Sequence, residues 1–209
     1  MENHKANKEE SMDSFILAGG IVAAVTYIFL CIGIVMGTPQ SFSTWILWAF
    51  IDVIAAISIA SKGGSFLLPT VYAAGSTLIF VAILVKFRKF EWTWFETMIA
   101  GLVVICLAIY GVFGGTFGTI AATISVGIAG VPQFGEFWSK PEKNSWQVFM
   151  VYSGFLASNI LTTLGGKNVS IQEIYYPLYC TVMCISIVYA IGRGIALKGK
   201  FSQEPFVSI

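Results

Sequence analysis

The stretch Met36-Gly37-Thr38-Pro39-Gln40 closes the first long apolar run of this sequence, and Ala129-Gly130-Val131-Pro132-Gln133 closes another in the second half. A tryptophan follows each glutamine at the same distance, at Trp45 and Trp138. Proline has no amide proton and disfavours helix at the residue before it, so it stops or kinks an apolar helix. Two such stops in matching places predict an internal repeat.

The composition around these stretches is that of a membrane protein. Of 209 residues, 56% are hydrophobic and only 11% are charged, whereas soluble domains carry about 25% charged residues. The apolar residues lie in runs of about 20, a length that crosses roughly 30 Å of hydrocarbon as a helix. We therefore predict an all-α polytopic membrane protein whose surroundings are the lipid bilayer.

Charge, histidine and cysteine content exclude several classes of function. The net charge of +1 gives no basis for a nucleic-acid partner. The four cysteines lie inside apolar runs, where single thiols are usually packing residues, and the only histidine, His4, lies in the polar leader. The spans hold no histidine, paired carboxylates or metal-ligand cluster. We therefore expect neither an enzyme nor a metal or cofactor.

Seven membrane spans follow from the apolar runs and the polar breaks between them. The predicted spans are residues 15–36, 45–60, 66–85, 95–113, 117–131, 146–164 and 174–191. With seven spans, eight basic residues lie on the side of the C-terminus and four on the other side. The positive-inside rule therefore predicts an outside N-terminus and a cytoplasmic C-terminus, in the plasma membrane or the bacterial inner membrane.

The spans divide into two triplets of the same orientation, because the fourth span lies between them. Landmarks recur in order: a tryptophan opens the second and sixth spans, at Trp45 and Trp146, and Gly-Gly ends them, at 63–64 and 165–166. We predict two parallel three-helix repeats joined by a linker helix, a 3+1+3 plan. The segments are a polar leader (1–14), the first repeat (15–87), the linker with the fourth span (88–114), the second repeat (115–192) and a cytoplasmic tail (193–209).

This plan resembles the PQ-loop and SWEET (MtN3-like) transporters over nearly the whole chain after the leader. The resemblance rests on two three-helix units, a linker span, and a Pro-Gln at the cytoplasmic end of the first helix of each unit. It implies an alternating-access carrier of a small polar solute, such as a sugar, an amino acid or another small metabolite, bound at mid-membrane between the repeats. The implied hinges are Pro39, Gln40, Pro132 and Gln133.

The chain departs from that group in two places. The loop between Gln40 and Trp45 is much shorter than the family usually has. Sugar-carrying members resemble each other in having an asparagine in the third helix of each triplet, and neither the third nor the seventh span holds one. The second departure counts against sugar specificity.

Asp52 is the one carboxylate deep in a predicted span. A charge at that depth costs several kcal/mol, so it normally faces a cavity or a partner. Trp45, Trp48 and Asp52 fall at i, i+3 and i+7, on one helix face. Aromatic rings beside a carboxylate suit a cation, a polar ring, or a proton relay that couples transport to protons. The alternative is that Asp52 lies near the end of a short span and bonds a neighbouring backbone group or serine.

Six further residues complete the predicted substrate site. Asn159 lies deep in the sixth span, and its amide both donates and accepts, although a helix–helix hydrogen bond is the alternative. Tyr72 and Ser76 share a face of the third span. The remaining three are Ser153, Tyr179 and Thr181. For any single aromatic residue, packing is the alternative role.

Other functions fit the same plan. A receptor or scaffold on this fold binds a peptide or protein and carries no solute. The nicotinamide riboside carriers have a similar overall plan and move a vitamin, but their tryptophan-rich pocket motifs do not recur clearly here. Assembly into a homo-oligomer is left open as well.

Overall fold

The computed structural model describes residues 2–38, 40–60, 67–87, 92–113, 115–166 and 171–201. These residues are all-helical and contain no strand. The α-helices are α1 (Glu2–Val35), α2 (Phe42–Ala60), α3 (Leu67–Phe87), α4 (Trp94–Phe113), α5 (Gly115–Ser139), α6 (Trp146–Leu164) and α7 (Ile171–Phe201). A short 3-10 helix, Pro141–Lys143, lies between α5 and α6.

Five of these helices are long and apolar enough to cross a membrane, as expected of an integral membrane protein. Their candidate spans are Asp13–Val35, Leu67–Phe87, Trp94–Phe113, Trp146–Leu164 and Tyr175–Lys198. The apolar part of α2, Phe42–Ile57, is shorter, and α5 is not among the five. Large apolar side chains such as Phe29 and Ile57 are more than half exposed, as a lipid-facing surface requires.

Local capping explains where α1 ends and where α6 begins. Gly37 has a φ of +101°, and the amides of Gly37 and Thr38 donate to the carbonyls of Ile34 (2.9 Å) and Gly33 (2.8 Å). This pair of bonds is a Schellman motif, for which glycine is favoured because it adopts positive φ without strain. At α6, Ser145 accepts from the amide of Val148, so the helix starts at Trp146 as predicted.

The predicted stop at Pro132 is wrong. Helix α5 continues through Pro132 and Gln133 to Ser139, so residues 134–139, predicted as loop, are helical. A proline removes one helical hydrogen bond and crowds the preceding turn. Every residue after it still has its backbone N–H donor, so the helix can continue. The turns after Pro132 are held by tertiary contacts, such as Phe137 packing edge-on against Tyr152 at 5.4 Å between ring centroids.

Two helices extend beyond the predicted spans. Helix α1 begins at Glu2, inside the segment predicted as a polar leader, and α7 reaches Phe201, inside the predicted tail. The predicted bounds marked where the sequence stops being apolar. The helix bounds depend on backbone hydrogen bonds, which continue into the polar residues. Pro39, the Gly-Gly pair at 63–64 and the end of the tail from residue 202 lie outside the described residues.

Six helices form a closed ring. Helix α3 packs against both α1 and α2, and α7 packs against both α5 and α6. Contacts between α1 and α6 and between α2 and α5 complete the ring. Helix α4 packs against α5 and touches α2 only slightly. The end of the ring that holds Gln40 and Gln133 is called the Pro-Gln end below.

Small residues let α1 approach its neighbours closely. A Cβ atom at Gly19 would overlap Thr162 of α6, and one at Gly75 of α3 would overlap the ring of Tyr27. The Ser158 hydroxyl also donates to the Gly19 carbonyl across the α1–α6 contact, at 2.8 Å. Close backbone approach and interhelical hydrogen bonds are the main attractions between helices in lipid, so these contacts hold the ring closed.

Gly75→Ala is expected to destabilise the folded protein by about 1–3 kcal/mol, because the new methyl group collides with the buried ring of Tyr27. Thermal unfolding of the purified protein in detergent measures the change. Gly101→Ala in α4 is the matched control, since a Cβ there meets nothing within 4 Å and replacing a helical glycine gains about 0.5–1 kcal/mol. Equal midpoints for the two variants would show that the Tyr27–Gly75 contact is loose.

Candidate functional site

A cavity of about 30 Å³ lies inside the ring, beside the middle of α2. All six ring helices contribute to its wall. The lining residues are Tyr27, Trp45, Trp48, Asp52, Tyr72, Ser76, Val126, Tyr152, Phe155, Cys180, Met183 and Cys184. This volume admits about two water molecules, so the helices leave little free space beside Asp52.

Asp52 is held by hydroxyl groups from two other helices. It is only 2% exposed. The Tyr176 hydroxyl of α7 donates to Oδ1 at 2.8 Å, and the Ser76 hydroxyl of α3 donates to Oδ2 at 2.9 Å. Asp52 therefore ties α2 to α3 and to α7, and the described residues show no bond from its side chain to a neighbour on α2.

A third hydroxyl extends this network. Tyr27 Oη of α1 lies 3.2 Å from Ser76 Oγ. Because the single proton of Ser76 points at Asp52, Tyr27 is the donor in this pair. Every hydroxyl of the network thus donates towards the carboxyl group.

Asn159 belongs to α6, which lies opposite α2 in the ring of helices. Its Nδ2 donates to Tyr72 Oη at 2.7 Å and to the Phe155 carbonyl at 2.8 Å. The bond to a carbonyl identifies this atom as the amide nitrogen. Its Oδ1 is buried and has no hydrogen-bond partner among the described residues. The site therefore holds an acceptor that the described side chains leave unused.

Aromatic rings make up much of the cavity wall. Trp45 and Trp48 pack edge to face with centroids 4.9 Å apart, and Tyr27 packs against Phe155 at 4.7 Å. The Trp48 indole donates to the Val126 carbonyl of α5 at 2.9 Å, which fixes the ring between two helices. Rings placed in this way offer a ligand flat apolar surface and negative π-electron faces.

The two glutamines of the Pro-Gln motifs bond across the ring. Gln40 Oε1 accepts from the Trp45 indole at 3.2 Å and from the Tyr152 hydroxyl of α6 at 3.3 Å. Gln133 Oε1 of α5 accepts from the Ser41 amide at 3.3 Å, just before α2. Each glutamine thus holds the half of the chain to which it does not belong. Both Nε2 groups are buried and have no partner among the described residues.

Charged residues gather at the Pro-Gln end, outside the cavity. Lys143 Nζ donates to Glu136 Oε1 at 2.8 Å, and this hydrogen bond raises the pKa of Lys143. Arg193 lies over the Trp138 ring, 4.2 Å from its centroid, and Lys198 donates to the Asn144 carbonyl at 2.7 Å. These contacts fasten the α5–α6 connection to the end of α7.

The structure divides the predicted site residues into three groups. Five of them line the cavity: Trp45, Trp48, Asp52, Tyr72 and Ser76. Asn159 stands directly behind the wall through its bond to Tyr72. The other three are half-buried and do not line the cavity: Ser153, Tyr179 and Thr181. Thr181 donates to the Pro177 carbonyl of its own helix, and Tyr179 packs on Gly127.

Sequence reasoning missed eight residues that line the cavity or bond Asp52. They are Tyr27, Val126, Tyr152, Phe155, Tyr176, Cys180, Met183 and Cys184. A signal existed for the tyrosines, because a phenol inside an apolar span needs a polar partner. The cysteines and Met183 carry no such signal, since they are equally at home in packing.

The chemistry available is binding and proton transfer. Among the described residues, no group of three histidine, cysteine or acidic side chains comes together as a metal site. The described wall offers one carboxyl group, hydroxyls aimed at it, and aromatic surface. Comparison of the chain with protein-family models, with curated proteins and with solved structures found no match.

Tyr176→Phe should destabilise the protein by about 1.5–3 kcal/mol, because it removes a buried hydrogen bond to a carboxyl group. Chemical or thermal unfolding in detergent measures this change. Tyr189→Phe is the matched control on the same helix, since Tyr189 is 66% exposed and surface substitutions stay within about 0.5 kcal/mol. Equal effects of the two substitutions would contradict the bond between Tyr176 and Asp52.

Proposed function

We propose that this chain is an alternating-access membrane carrier of a small polar solute, which binds in the cavity beside Asp52. The observation that carries the proposal is the placement of that carboxyl group: buried, near the middle of α2, and in a cavity lined by all six ring helices. A charge in such a place is costly, and in membrane proteins it marks a substrate or ion path. A role in packing alone does not account for it, because an apolar side chain packs at lower cost.

The order of the ring supports a carrier built as 3+1+3. Helix α3 lies between α1 and α2, and α7 lies between α5 and α6, so the two triplets have the same internal order. Helix α4, which packs mainly on α5, is the linker of this plan. Parallel repeats with a site between them are one of the plans on which transporters are built. This order agrees with the resemblance to the PQ-loop and SWEET group.

The Pro-Gln motifs supply the moving contacts. Gln40 and Gln133 hold the two halves together at one end of the cavity, each accepting one bond of 3.3 Å from the other half. Their Nε2 groups have no partner in the described part of the chain, so these contacts are incompletely satisfied. Bonds of this kind can be exchanged for others at small cost, which an opening and closing gate requires. Pro132, inside α5, weakens that helix at the same level.

Asp52→Asn is expected to lower solute uptake at least ~10-fold, because the variant keeps the shape of the side chain and loses its charge. Solutes are first selected by thermal shift from sugars, amino acids, amines and vitamins, and uptake is then measured in proteoliposomes. If Asp52 carries a coupled proton, an inward proton gradient accelerates uptake by the parent protein and has no effect on the variant. Uptake that does not depend on the proton gradient in either the parent protein or the variant would contradict proton coupling. It would not contradict the carrier function.

Glu136→Gln is the control for that experiment, because it also removes one carboxylate, and its site at the Pro-Gln end lies outside the cavity. Normal uptake by this variant is expected. If the parent protein transports no solute, and Asp52→Asn neither weakens ligand binding nor changes stability, the carrier proposal is wrong. A receptor or scaffold on the same fold then becomes the better interpretation.

Pro132→Ala tests the hinge. The substitution restores a helical hydrogen bond, so the free energy of unfolding should rise by up to ~3 kcal/mol, and the unfolding midpoint should rise with it. Uptake should slow, because a stiffer α5 opposes the movement of the helices. Pro141→Ala is the matched control, since proline is tolerated at the first position of a helix. Faster or unchanged uptake by Pro132→Ala would remove the hinge role of this residue.

A further inference from the structure

Among the described residues, Asp52 has no positively charged partner. It is the only charged residue of the described cavity wall. Of the described basic side chains, Lys140 and Lys143 pair with Glu136, and Arg193 covers Trp138. These contacts all lie at the Pro-Gln end. A buried carboxylate without a counter-charge is costly in free energy. The site therefore lacks a positive charge that a bound cation would supply.

Most hydrogen-bond donors of the described cavity wall are already used. Tyr27 donates to Ser76, and Ser76 and Tyr176 donate to Asp52. The remaining strong donors are also engaged: Trp48 with the Val126 carbonyl, and Trp45 and Tyr152 with Gln40. The Tyr72 hydroxyl accepts from Asn159. The donors that remain on the described wall are the Tyr72 hydroxyl proton and two thiols, which donate weakly.

Acceptors, by contrast, are left free. Each oxygen of Asp52 accepts one bond, although a carboxylate accepts about four in all. Asn159 Oδ1, next to the wall residue Tyr72, accepts none among the described residues. A ligand that completes these contacts has to bring donors. It also meets the rings of Trp45 and Trp48, whose faces attract positive charge.

We infer that the cavity binds a small organic cation, a primary ammonium whose N–H groups donate to the Asp52 carboxylate; this inference rests on the proposed carrier function and names its substrate class. An anion would lie against an unneutralised carboxylate. A sugar brings hydroxyl oxygens that need donors, and the described wall has few to spare. A cation with N–H groups satisfies the charge, the free acceptors and the aromatic faces together. The walls separate to admit it, because the enclosed cavity is small.

Matched probes of similar size test this inference on the full-length protein in an uncharged detergent. Propylammonium carries charge and N–H donors, tetramethylammonium carries charge alone, 1-propanol is neutral, and propionate is an anion. Glucose serves as the sugar probe. Isothermal titration calorimetry in phosphate buffer measures each affinity, because amine buffers would compete for the site. The comparison on the unmodified chain does not depend on the folding of any variant.

We expect propylammonium to bind most tightly and tetramethylammonium about tenfold more weakly, since it lacks N–H donors. Propionate, 1-propanol and glucose should not bind detectably. Asp52→Asn should weaken propylammonium binding at least ~30-fold. Glu136→Gln removes the same charge at the Pro-Gln end and should leave the affinity unchanged. Asp52→Glu, which keeps the charge, should retain the preference for cations.

Three results would overturn the inference: a neutral or anionic probe that binds as tightly as propylammonium, an unchanged affinity in Asp52→Asn, or no binding of any cation. Uptake in proteoliposomes then separates this failure from that of the carrier. Uptake of a sugar or other neutral solute that is lost in Asp52→Asn keeps the carrier and replaces its substrate class. Absence of uptake for every solute class overturns both proposals.

Discussion

A carboxyl group in the middle of a helical membrane bundle has to be surrounded by donors, and the arrangement of α2, α3 and α7 follows from that constraint. Asp52 accepts hydrogen bonds from the hydroxyls of Ser76 and Tyr176, and Tyr27 of α1 bonds Ser76. Three helices therefore meet at the Asp52 side chain, and α1 joins them through Ser76. Lipid provides no competing partner for these groups, so the network both closes the ring and sets the position of the cavity.

The outer surface of the molecule is apolar, in contrast to the polar network in its interior. Apolar side chains such as Phe29 and Val112 face outward, while buried positions hold Asn159, Gln133 and Thr44. Burial of apolar surface does not drive helices together in lipid, so contact depends on small residues and on hydrogen bonds. Gly19, Gly75 and Gly154 provide the close approach, and the polar side chains provide specificity. The same polar residues that hold the ring together are thus available to a solute.

The site is asymmetric in its polar groups. Within the described part of the chain, the buried atom without a partner next to the cavity is an acceptor, Asn159 Oδ1. At the Pro-Gln end, the atoms without a partner are the donor Nε2 groups of Gln40 and Gln133 and the acceptor Asn144 Oδ1. Unpaired buried groups are costly and rare, and they concentrate where a partner arrives or a contact changes. The cavity therefore has the character of a binding site, and the glutamines that of a gate.

The sequence by itself determined the class of the protein, its seven helices and the central position of Asp52 with Trp45 and Trp48, because apolar run length and helical periodicity are local properties. It also placed the start of α6 at Trp146, where Ser145 caps the helix. Only the tertiary structure decided that α5 passes through Pro132, that Tyr27 and Tyr176 complete the Asp52 network, and that Tyr179 and Thr181 lie off the cavity wall. These outcomes depend on which helices pack together, because a buried hydroxyl bonds a partner on a helix that is distant in the sequence.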